Sequence, residues 1–228
     1  MSAPSLSVVI PVKDGERFLG DAIRSVFAQQ YSPIDIIVVD GRSSDRTVAV
    51  AESFPGVRCF TQSGSGLPRA YNEGIAAARG EWIAFLEHDD VWTPDKLAVQ
   101  IPFMVARPQL LYTLTRVRFF LEPGHTPPPG FRREWLAGDH AGSVLSTFVG
   151  RREVFETVGP FNPQLSIAGD VDWFARANDL QVPMEFVPRA LLEKRVHGGN
   201  LTGNVAVNNR ELLHVIGAKL RRGRAGPA

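Results

Sequence analysis

The sequence has almost no cysteine, no excess of one charge and no long apolar run. Its 228 residues contain one cysteine, Cys59, which excludes an internal disulfide and a cysteine-rich metal site. The 25 Lys and Arg residues nearly balance the 24 Asp and Glu residues, so no strong field indicates a nucleic-acid partner. No apolar segment is long enough to span a bilayer, and the N-terminus lacks the basic start of a signal peptide. We therefore expect a cytoplasmic protein that does not bind nucleic acid.

The composition is that of an ordinary folded chain. Hydrophobic residues make up 44% and charged residues 21%, with 17 Pro and 21 Gly, which excludes disorder, collagen and coiled coil. The length is ample for one α/β domain with additions.

The first hundred residues alternate between strand and helix patterns. Leu6–Val12 is apolar and β-branched throughout, as in a strand buried on both faces of a parallel sheet. Apolar residues then recur at helical spacing over Phe18–Phe27, with Asp14 as the predicted N-cap. The alternation continues with strands at Ile34–Val39, Val57–Thr61 and Trp82–Leu86, and with helices from a Ser43–Asp45 cap to Ser53, at Pro68–Ala78, and after a Thr93–Pro94 cap. This order predicts a Rossmann-like, mainly parallel sheet with ligands at the carboxyl ends of its strands.

The second half of the chain is less regular. Its patterns predict strands at Leu110–Leu121, Ser143–Gly150, Met184–Val187 and Leu191–Val196, and helices at Arg151–Val158 and Asp170–Leu180. No linker between the halves is long enough to separate two independent domains.

Three carboxylates follow the fourth strand, in Glu87-His88-Asp89-Asp90. Their mutual repulsion is costly unless a cation or solvent relieves it. Hard oxygen ligands of this kind suit Mg²⁺ or Mn²⁺, which proteins often hold together with substrate phosphates. The alternative is an acidic turn that caps the helix at Pro94.

Two further groups of polar residues lie near carboxyl ends of predicted strands. Asp40 ends the second strand, where an acid reaches a ribose or base in nucleotide-binding sheets; the alternative is a plain cap. Arg69, Asn72 and Glu73 begin the third helix after a Gly-Ser-Gly loop, where a nucleobase or phosphate would meet them. An exposed helix start explains them equally well.

Taken together, these segments resemble the family 2 glycosyltransferases, which have the GT-A fold. The likeness rests on the order and spacing of Val8-Val-Ile-Pro-Val-Lys-Asp14, Ser25-Val-Phe-Ala-Gln29, Ile36-Ile-Val-Val-Asp-Gly-Arg-Ser-Ser-Asp-Arg-Thr47, Arg69-Ala-Tyr-Asn-Glu-Gly74 and Gly80-Glu-Trp-Ile-Ala-Phe-Leu-Glu-His-Asp-Asp-Val-Trp-Thr-Pro-Asp-Lys-Leu97. It continues more weakly in Val158-Gly-Pro-Phe161, Gly169-Asp-Val-Asp-Trp-Phe-Ala-Arg176 and Arg195-Val-His-Gly-Gly-Asn-Leu-Thr202.

The resemblance implies a role for each matching residue. Asp170 matches the aspartate that deprotonates the acceptor hydroxyl, and Asp89 with His197 matches the metal ligands. The residues that it assigns to the nucleotide sugar are Pro11, Val12, Lys13, Asp40, Arg69, Asn72, Glu87 and His88. It also implies one GT-A domain over 1–228, with a nucleotide-sugar-binding half (1–107), an irregular acceptor-side half (108–204) and a C-terminal helix with a basic tail (205–228).

The implied activity is metal-assisted transfer of a sugar from a nucleotide-diphosphate sugar, with inversion, because no second carboxylate is evident as a covalent nucleophile. Asp170 opens a predicted helix, whose dipole favours the ionised form of the base. Mn²⁺ or Mg²⁺ is the expected cofactor. Two alternatives stay open: a nucleotidyltransferase on a similar sheet, and an inactive nucleotide-sugar-binding module.

The sequence departs from the family pattern at several positions. Lys13-Asp14 replaces an aromatic-Asn pair, Gly41-Arg42 interrupts the usual acidic motif, Glu87 replaces an aspartate, and Gly169 replaces a glutamate. The acceptor stays undetermined among lipid-linked molecules, glycans, small molecules and peptides. The basic tail, with Lys219, Arg221, Arg222 and Arg224, is either a peripheral membrane contact or a solvated end.

Overall fold

A computed structural model describes residues 4–128, 130–198 and 205–224. The strands are β1 (Leu6–Val12), β2 (Ile34–Asp40), β3 (Val57–Thr61), β4 (Trp82–Phe85), β5 (Val91–Trp92), β6 (Tyr112–Leu121), β7 (Val149–Arg151) and β8 (Met184–Val196). The helices are α1 (Leu19–Phe27), α2 (Thr47–Glu52), α3 (Leu67–Ala77), α4 (Lys96–Val105), α5 (Val154–Val158), α6 (Gly169–Asp179) and α7 (Val205–Arg224), with 3₁₀ turns at Arg133–Leu136 and Leu145–Thr147.

All eight strands join one sheet, in the order β3-β2-β1-β4-β7-β6-β8-β5. The four N-terminal strands are parallel, β6 pairs with β8 in parallel, and β7 is antiparallel to both β4 and β6. The sheet therefore runs through both halves of the chain. Because β1, β2 and β4 are parallel neighbours, their carboxyl ends meet at one edge.

The core forms two layers, one on each face of the sheet. Alternate residues of β1 point to opposite faces: Val8 and Ile10 pack with α1 and α4, whereas Val9 packs with α3, α5 and α6. Every residue of β1 is buried, as its continuous apolar sequence predicts.

The second half differs from the prediction in two places. The segment Ser143–Gly150 is not one strand, because its backbone turns at Leu145–Thr147 and its carbonyls accept hydrogen bonds from Trp92 and Lys96 side chains. The two strands predicted over 184–196 are one strand, β8. Its pairing with β6 slips between Val187 and Ala190, where Pro188 cannot donate to the ladder.

The predicted cap of α1 is wrong, whereas Asp45 of the predicted α2 cap does bind the first N–H of that helix. Asp14 does not cap α1, which begins at Leu19; Asp14 has a φ of 51°, and its carboxylate accepts from the Ser44 backbone N–H at 2.7 Å. Helix α2 begins at Thr47, whose N–H donates to Asp45 Oδ1 at 2.9 Å. Asp45 Oδ2 also accepts the Glu16 N–H at 3.0 Å, so both acids join the loops that follow β1 and β2.

Cys59 lies on β3 as predicted, but its side chain is half-buried and not fully buried. Burial, and after it the negative charge of Asp40, raises the pKa of the Cys59 thiol to about 11, which keeps it protonated and unreactive.

In the part of the chain that the structure describes, none of the helices has the length and hydrophobicity that a membrane span needs. Two of the basic residues near the C-terminus are paired: Arg222 Nε lies 2.9 Å and Lys219 Nζ 4.0 Å from the Asp179 carboxylate. The residues 199–202 of the last family motif, and the Arg224 side chain, lie outside the described part.

Candidate active site

A cavity of about 300 Å³ opens at the carboxyl edge of the sheet. It is lined by Pro11, Leu67, Pro68, Tyr71, Glu87, His88, Asp89, Ser143, Val144, Ile167, Ala168, Gly169, Asp170, Val171, Lys194 and Leu212. Residues from the β4 end, the α6 start and the β8 end thus meet in one space. Five of the sequence-predicted site residues lie in it: Pro11, Glu87, His88, Asp89 and Asp170.

The acidic motif forms a tight cluster at one side of this cavity. Among the described residues, carboxylate oxygens of Glu87, Asp89 and Asp90 lie within 4.8 Å of one another. The Lys194 Nζ lies 2.5 Å from Glu87 Oε2 and 3.0 Å from Asp90 Oδ2. The repulsion that the sequence indicates is therefore relieved in part by a lysine of β8.

Lys194 carries its charge despite its burial. Burial opposes the charged form, but the carboxylates of Asp90, Glu87 and Asp89 outweigh it and raise the pKa of Lys194 well above its usual value. Asp90 has no exposed surface and also accepts the Arg195 backbone N–H at 3.1 Å. Asp90 is thus committed to internal contacts and is a poor metal ligand.

Asp89 and His197 fit a divalent cation better. Asp89 Oδ2 lies 3.0 Å from His197 Nε2, and neighbouring ligands of an octahedral Mg²⁺ or Mn²⁺ are roughly 3 Å apart. Carboxylate and imidazole together suit Mn²⁺. Burial opposes the ionised form of Asp89, but the His197 hydrogen bond and nearby positive charges outweigh burial and keep the pKa of Asp89 well below its usual range. The pair therefore places an ionised oxygen and a ring nitrogen at ligand spacing, and a bound metal would take the place of the proton on Nε2 that now bonds to Asp89.

Asp170 lies in the first turn of α6, and its Oδ1 accepts the Val171 N–H at 2.8 Å. Burial, and after it the negative charge of Glu87, raises the pKa of Asp170 to about 6. Backbone N–H groups at the helix start favour the ionised form of Asp170, as expected, but desolvation outweighs them, so the net pKa shift is upward. A carboxyl with this pKa is a better proton acceptor near neutral pH than an ordinary aspartate.

Asp40 lies at the end of β2, opposite Val12 in the register. Asp40 is 2% exposed, and its carboxylate accepts the backbone N–H groups of Arg42 and Ser43, each at 3.1 Å. Arg42 has a φ of 63°, so these bonds hold a strained turn. Asp40 thus shapes the loop beside the cavity, in addition to any contact with a nucleoside.

Five predicted nucleotide-sugar residues lie outside the cavity lining: Val12, Lys13, Asp40, Arg69 and Asn72. The Asn72 amide donates to the Phe161 carbonyl at 2.8 Å and accepts the Phe161 N–H at 2.9 Å, so it holds the Val158–Phe161 loop. Arg69 is exposed, and its side chain lies over Gly64, where a Cβ would come within 2.5 Å of Arg69 Nε. Lys13 is exposed at the end of β1.

Sequence reasoning missed two residues of β8. Lys194 pairs with the acidic cluster, and Arg195 donates to the Asp89 carbonyl at 3.0 Å while its guanidinium pairs with Glu122 and Asp21. Arg195 opens the last family motif and Lys194 directly precedes it, and the strand pattern gave no reason to expect charged residues facing inward there. The Arg195 contacts fasten β8 to the acidic turn.

The fold is a mainly parallel α/β sheet with an acidic cavity at its carboxyl edge, the edge at which open α/β sheets bind their ligands. The chain belongs to glycosyl transferase family 2, a family of sugar-transferring enzymes, because the profile of that family matches residues 7–159. An "uncharacterized glycosyltransferase" of Rickettsia typhi is 29% identical over 92% of this chain and 69% of its own length. Matches to relatives from Rickettsia prowazekii and Rickettsia felis cover only 31% and 17% of those proteins.

Two solved structures share the fold. The mannosyltransferase PcManGT from Pyrobaculum calidifontis, in complex with GDP-Man and Mn²⁺, has a TM-score of 0.74 at 16% identity, over 97% of this chain and 65% of that chain. S. aureus TarS 1-349 in complex with UDP-GlcNAc has a TM-score of 0.71 at 18% identity, over 88% and 61%. The expected family and GT-A fold are confirmed.

Proposed function

We propose that this protein is an inverting, metal-assisted glycosyltransferase that moves a sugar from a nucleotide-diphosphate sugar to an acceptor hydroxyl. The observation that carries the proposal is one cavity that holds both a carboxyl with a pKa raised to about 6, Asp170, and a candidate metal ligand, Asp89. The donor class is supported by the nucleotide sugars bound in the two structural neighbours.

The donor binds along the carboxyl edge of the sheet. Asp40 and the exposed side chains of Lys13 and Arg69 flank this edge and take the nucleoside and the phosphates, while Pro11 and Val12 form its floor. His88 and Glu87 line the cavity beside the sugar. Asn72 contributes indirectly, because its amide holds the loop at Phe161.

Asp89 and His197 hold the divalent cation, Mn²⁺ or Mg²⁺. When bound, the cation neutralises negative charge that develops on the departing diphosphate. Lys194 holds the Glu87 and Asp90 carboxylates and so leaves the Asp89–His197 pair as the part of the cluster that can accept a metal.

Asp170 removes the proton from the acceptor hydroxyl as that oxygen attacks the anomeric carbon. The bond from this carbon to the diphosphate oxygen breaks on the opposite side, so the configuration inverts. A covalent intermediate would need a second available carboxylate in the cavity. Glu87 is paired with Lys194 and Asp89 with His197, which favours a single displacement.

A nucleotide-sugar panel tests the proposal. Each donor, with Mn²⁺ or Mg²⁺, is scored by the rise in melting temperature and by release of free nucleoside diphosphate. A donor at a hundred times its dissociation constant stabilises the fold by about 2.7 kcal/mol, which is readily measured. Because the panel holds no acceptor other than water, release here means slow hydrolysis of the donor. Stabilisation without release, even on long incubation and with added glycoside acceptors, indicates an inactive binding module, and pyrophosphate release from a nucleoside triphosphate with a sugar phosphate indicates a nucleotidyltransferase. Either result contradicts the proposal.

A further inference from the structure

Helix α7 is fastened to the start of α6 by a single carboxylate. Glu211, which is buried, accepts the backbone N–H groups of Ser166, Ile167 and Ala168 at 2.8, 2.8 and 3.0 Å. These N–H groups precede α6, where a helix leaves its donors without internal partners. Glu211 therefore fixes the segment that leads directly into Asp170.

Packing and ion pairs hold the rest of α7 against α6. Val215 packs with Leu165 and Ala168, and Leu212 packs against the same cluster. Near its C-terminal end, Arg222 and Lys219 pair with Asp179 at the end of α6. Helix α7 thus contacts α6 along its length, and its inner face has a fixed position.

The residue next to Glu211 reaches the cavity. Leu212 lines the cavity together with Ile167, three residues before Asp170, and Val171, the residue after it. Leu67 and Pro68 of α3 complete this side, since a Cβ on Gly169 would lie 2.6 Å from Pro68 Cγ. The surroundings of Asp170 on this side are apolar, whereas the β4 and β8 ends of the cavity carry the charged groups.

We infer that Glu211 and Leu212 of α7 build the acceptor end of the cavity, and that the acceptor carries a hydrocarbon group close to its reactive hydroxyl. The inference rests on the proposed function, since Asp170 as base requires the acceptor to approach it. An acceptor hydroxyl that reaches Asp170 brings its neighbouring atoms against Leu212, Ile167 and Val171. Because moving apolar surface out of water is favourable, this apolar wall binds a hydrocarbon group better than a polar one.

Binding of two glycosides tests the ligand class. The protein, with Mn²⁺ and whichever of UDP and GDP it binds, is titrated with methyl β-glucoside and with octyl β-glucoside below its micelle-forming concentration. Each buried methylene contributes a factor of about four in affinity, so burial of two or more predicts at least about tenfold tighter binding of the octyl compound. Equal affinity, or no binding of either glycoside to the nucleotide-loaded protein, overturns the inference.

Two adjacent positions on α7 give a matched pair of variants. Leu212→Asn places an amide in the apolar wall and should reduce the octyl preference to less than about threefold. Leu213→Asn is the control, because Leu213 is 70% exposed and does not line the cavity. If both variants keep the preference of the unmodified protein, or both lose it equally, Leu212 does not form the acceptor wall.

Glu211 acts through the backbone of residues 166–168, so it is a positioning residue. Glu211→Ala should speed hydrogen exchange of those three amides and weaken octyl glucoside binding, while UDP or GDP affinity stays unchanged. Glu211→Gln keeps an acceptor oxygen and should restore glycoside binding in part. An equal loss of nucleotide and glycoside affinity in Glu211→Ala would indicate a general structural role and contradict the inference. If the unmodified protein binds no nucleoside diphosphate, the proposed function itself fails, and the acceptor interpretation of the cavity fails with it.

Discussion

The Lys194 ammonium holds the Glu87 carboxylate at 2.5 Å, and Glu87 is the charged neighbour that most raises the pKa of Asp170, after burial itself. Lys194 acts in the opposite direction and lowers that pKa. Glu87 and Lys194 thus shift the pKa of the proposed base in opposite directions, in addition to the larger effect of burial.

We therefore expect the transfer rate to rise with pH through about 6, because Asp170, with its pKa raised to about 6, must lose its proton to act as base. Lys194→Met removes a positive neighbour of Asp170, so the rise of the transfer rate with pH, the acid limb of the rate profile, should move to higher pH. Glu87→Gln removes a negative neighbour and should move it to lower pH. Rate profiles at saturating Mn²⁺ check both; shifts in the reverse directions would show that another group controls the limb.

Asp89→Asn should remove the metal dependence of donor binding. The amide keeps the shape of the side chain but lacks the charge that a divalent cation requires. Calorimetry with UDP or GDP should show metal-dependent affinity reduced by more than about tenfold. Asp95→Asn serves as the control, because Asp95 pairs with the exposed Arg189 away from the cavity. Undiminished nucleotide binding by the unmodified protein in chelator would disprove a metal role.

Asp40 should contribute to both stability and nucleotide binding. Asp40→Ala leaves two backbone N–H groups without their acceptor, which should lower stability by about 1–3 kcal/mol. Asp40→Asn keeps an acceptor oxygen, so it should unfold at a temperature closer to that of the unmodified protein while binding nucleotide more weakly. Thermal unfolding and calorimetry separate the two effects. If Asp40→Asn binds nucleotide normally, Asp40 serves the loop alone.

Gly169 should not tolerate the glutamate that is common in the family. Its Cβ would lie 2.6 Å from Pro68 Cγ, so α6 or α3 must move to accept any side chain. Gly169→Ala should lower stability by about 1–3 kcal/mol and reduce transfer more than donor binding, because Asp170 is the next residue. A Gly169→Glu variant with increased transfer would show that the family position matters more than this packing.

Much of the N-terminal half could be predicted from the sequence, because β1 and β4 are buried throughout and read as continuous apolar runs, and β2 is buried over its last five residues. Leu6–Val12 and Val57–Thr61 have the predicted bounds. The Leu145–Thr147 turn could not be predicted, since its carbonyls are satisfied by side chains of Trp92 and Lys96 more than forty residues away.

The candidate site was also predictable only in part, because local motifs can be read from the sequence whereas contacts between distant residues cannot. Asp89 and Asp170 could be found from local motifs that match the family. Lys194 could not, because it is 104 residues from its partner Asp90, and nothing in the β8 pattern indicates that pairing. Glu211 is likewise paired with backbone groups 43 to 45 residues away, and backbone partners leave no sequence signal at all.

The most direct test of the account is the transfer rate of Asp170→Asn. The amide keeps the shape of the side chain and removes the proton acceptor, so the maximal rate should fall by roughly two to four orders of magnitude. Donor affinity should barely change, because a lost base lowers the maximal rate whereas a lost ligand contact raises the apparent donor constant. Asp172→Asn is the matched control on the same helix, since Asp172 pairs with Arg176 at 2.9 Å and does not line the cavity. Loss of transfer in Asp170→Asn alone supports the account; retention of most of the rate in Asp170→Asn would contradict it.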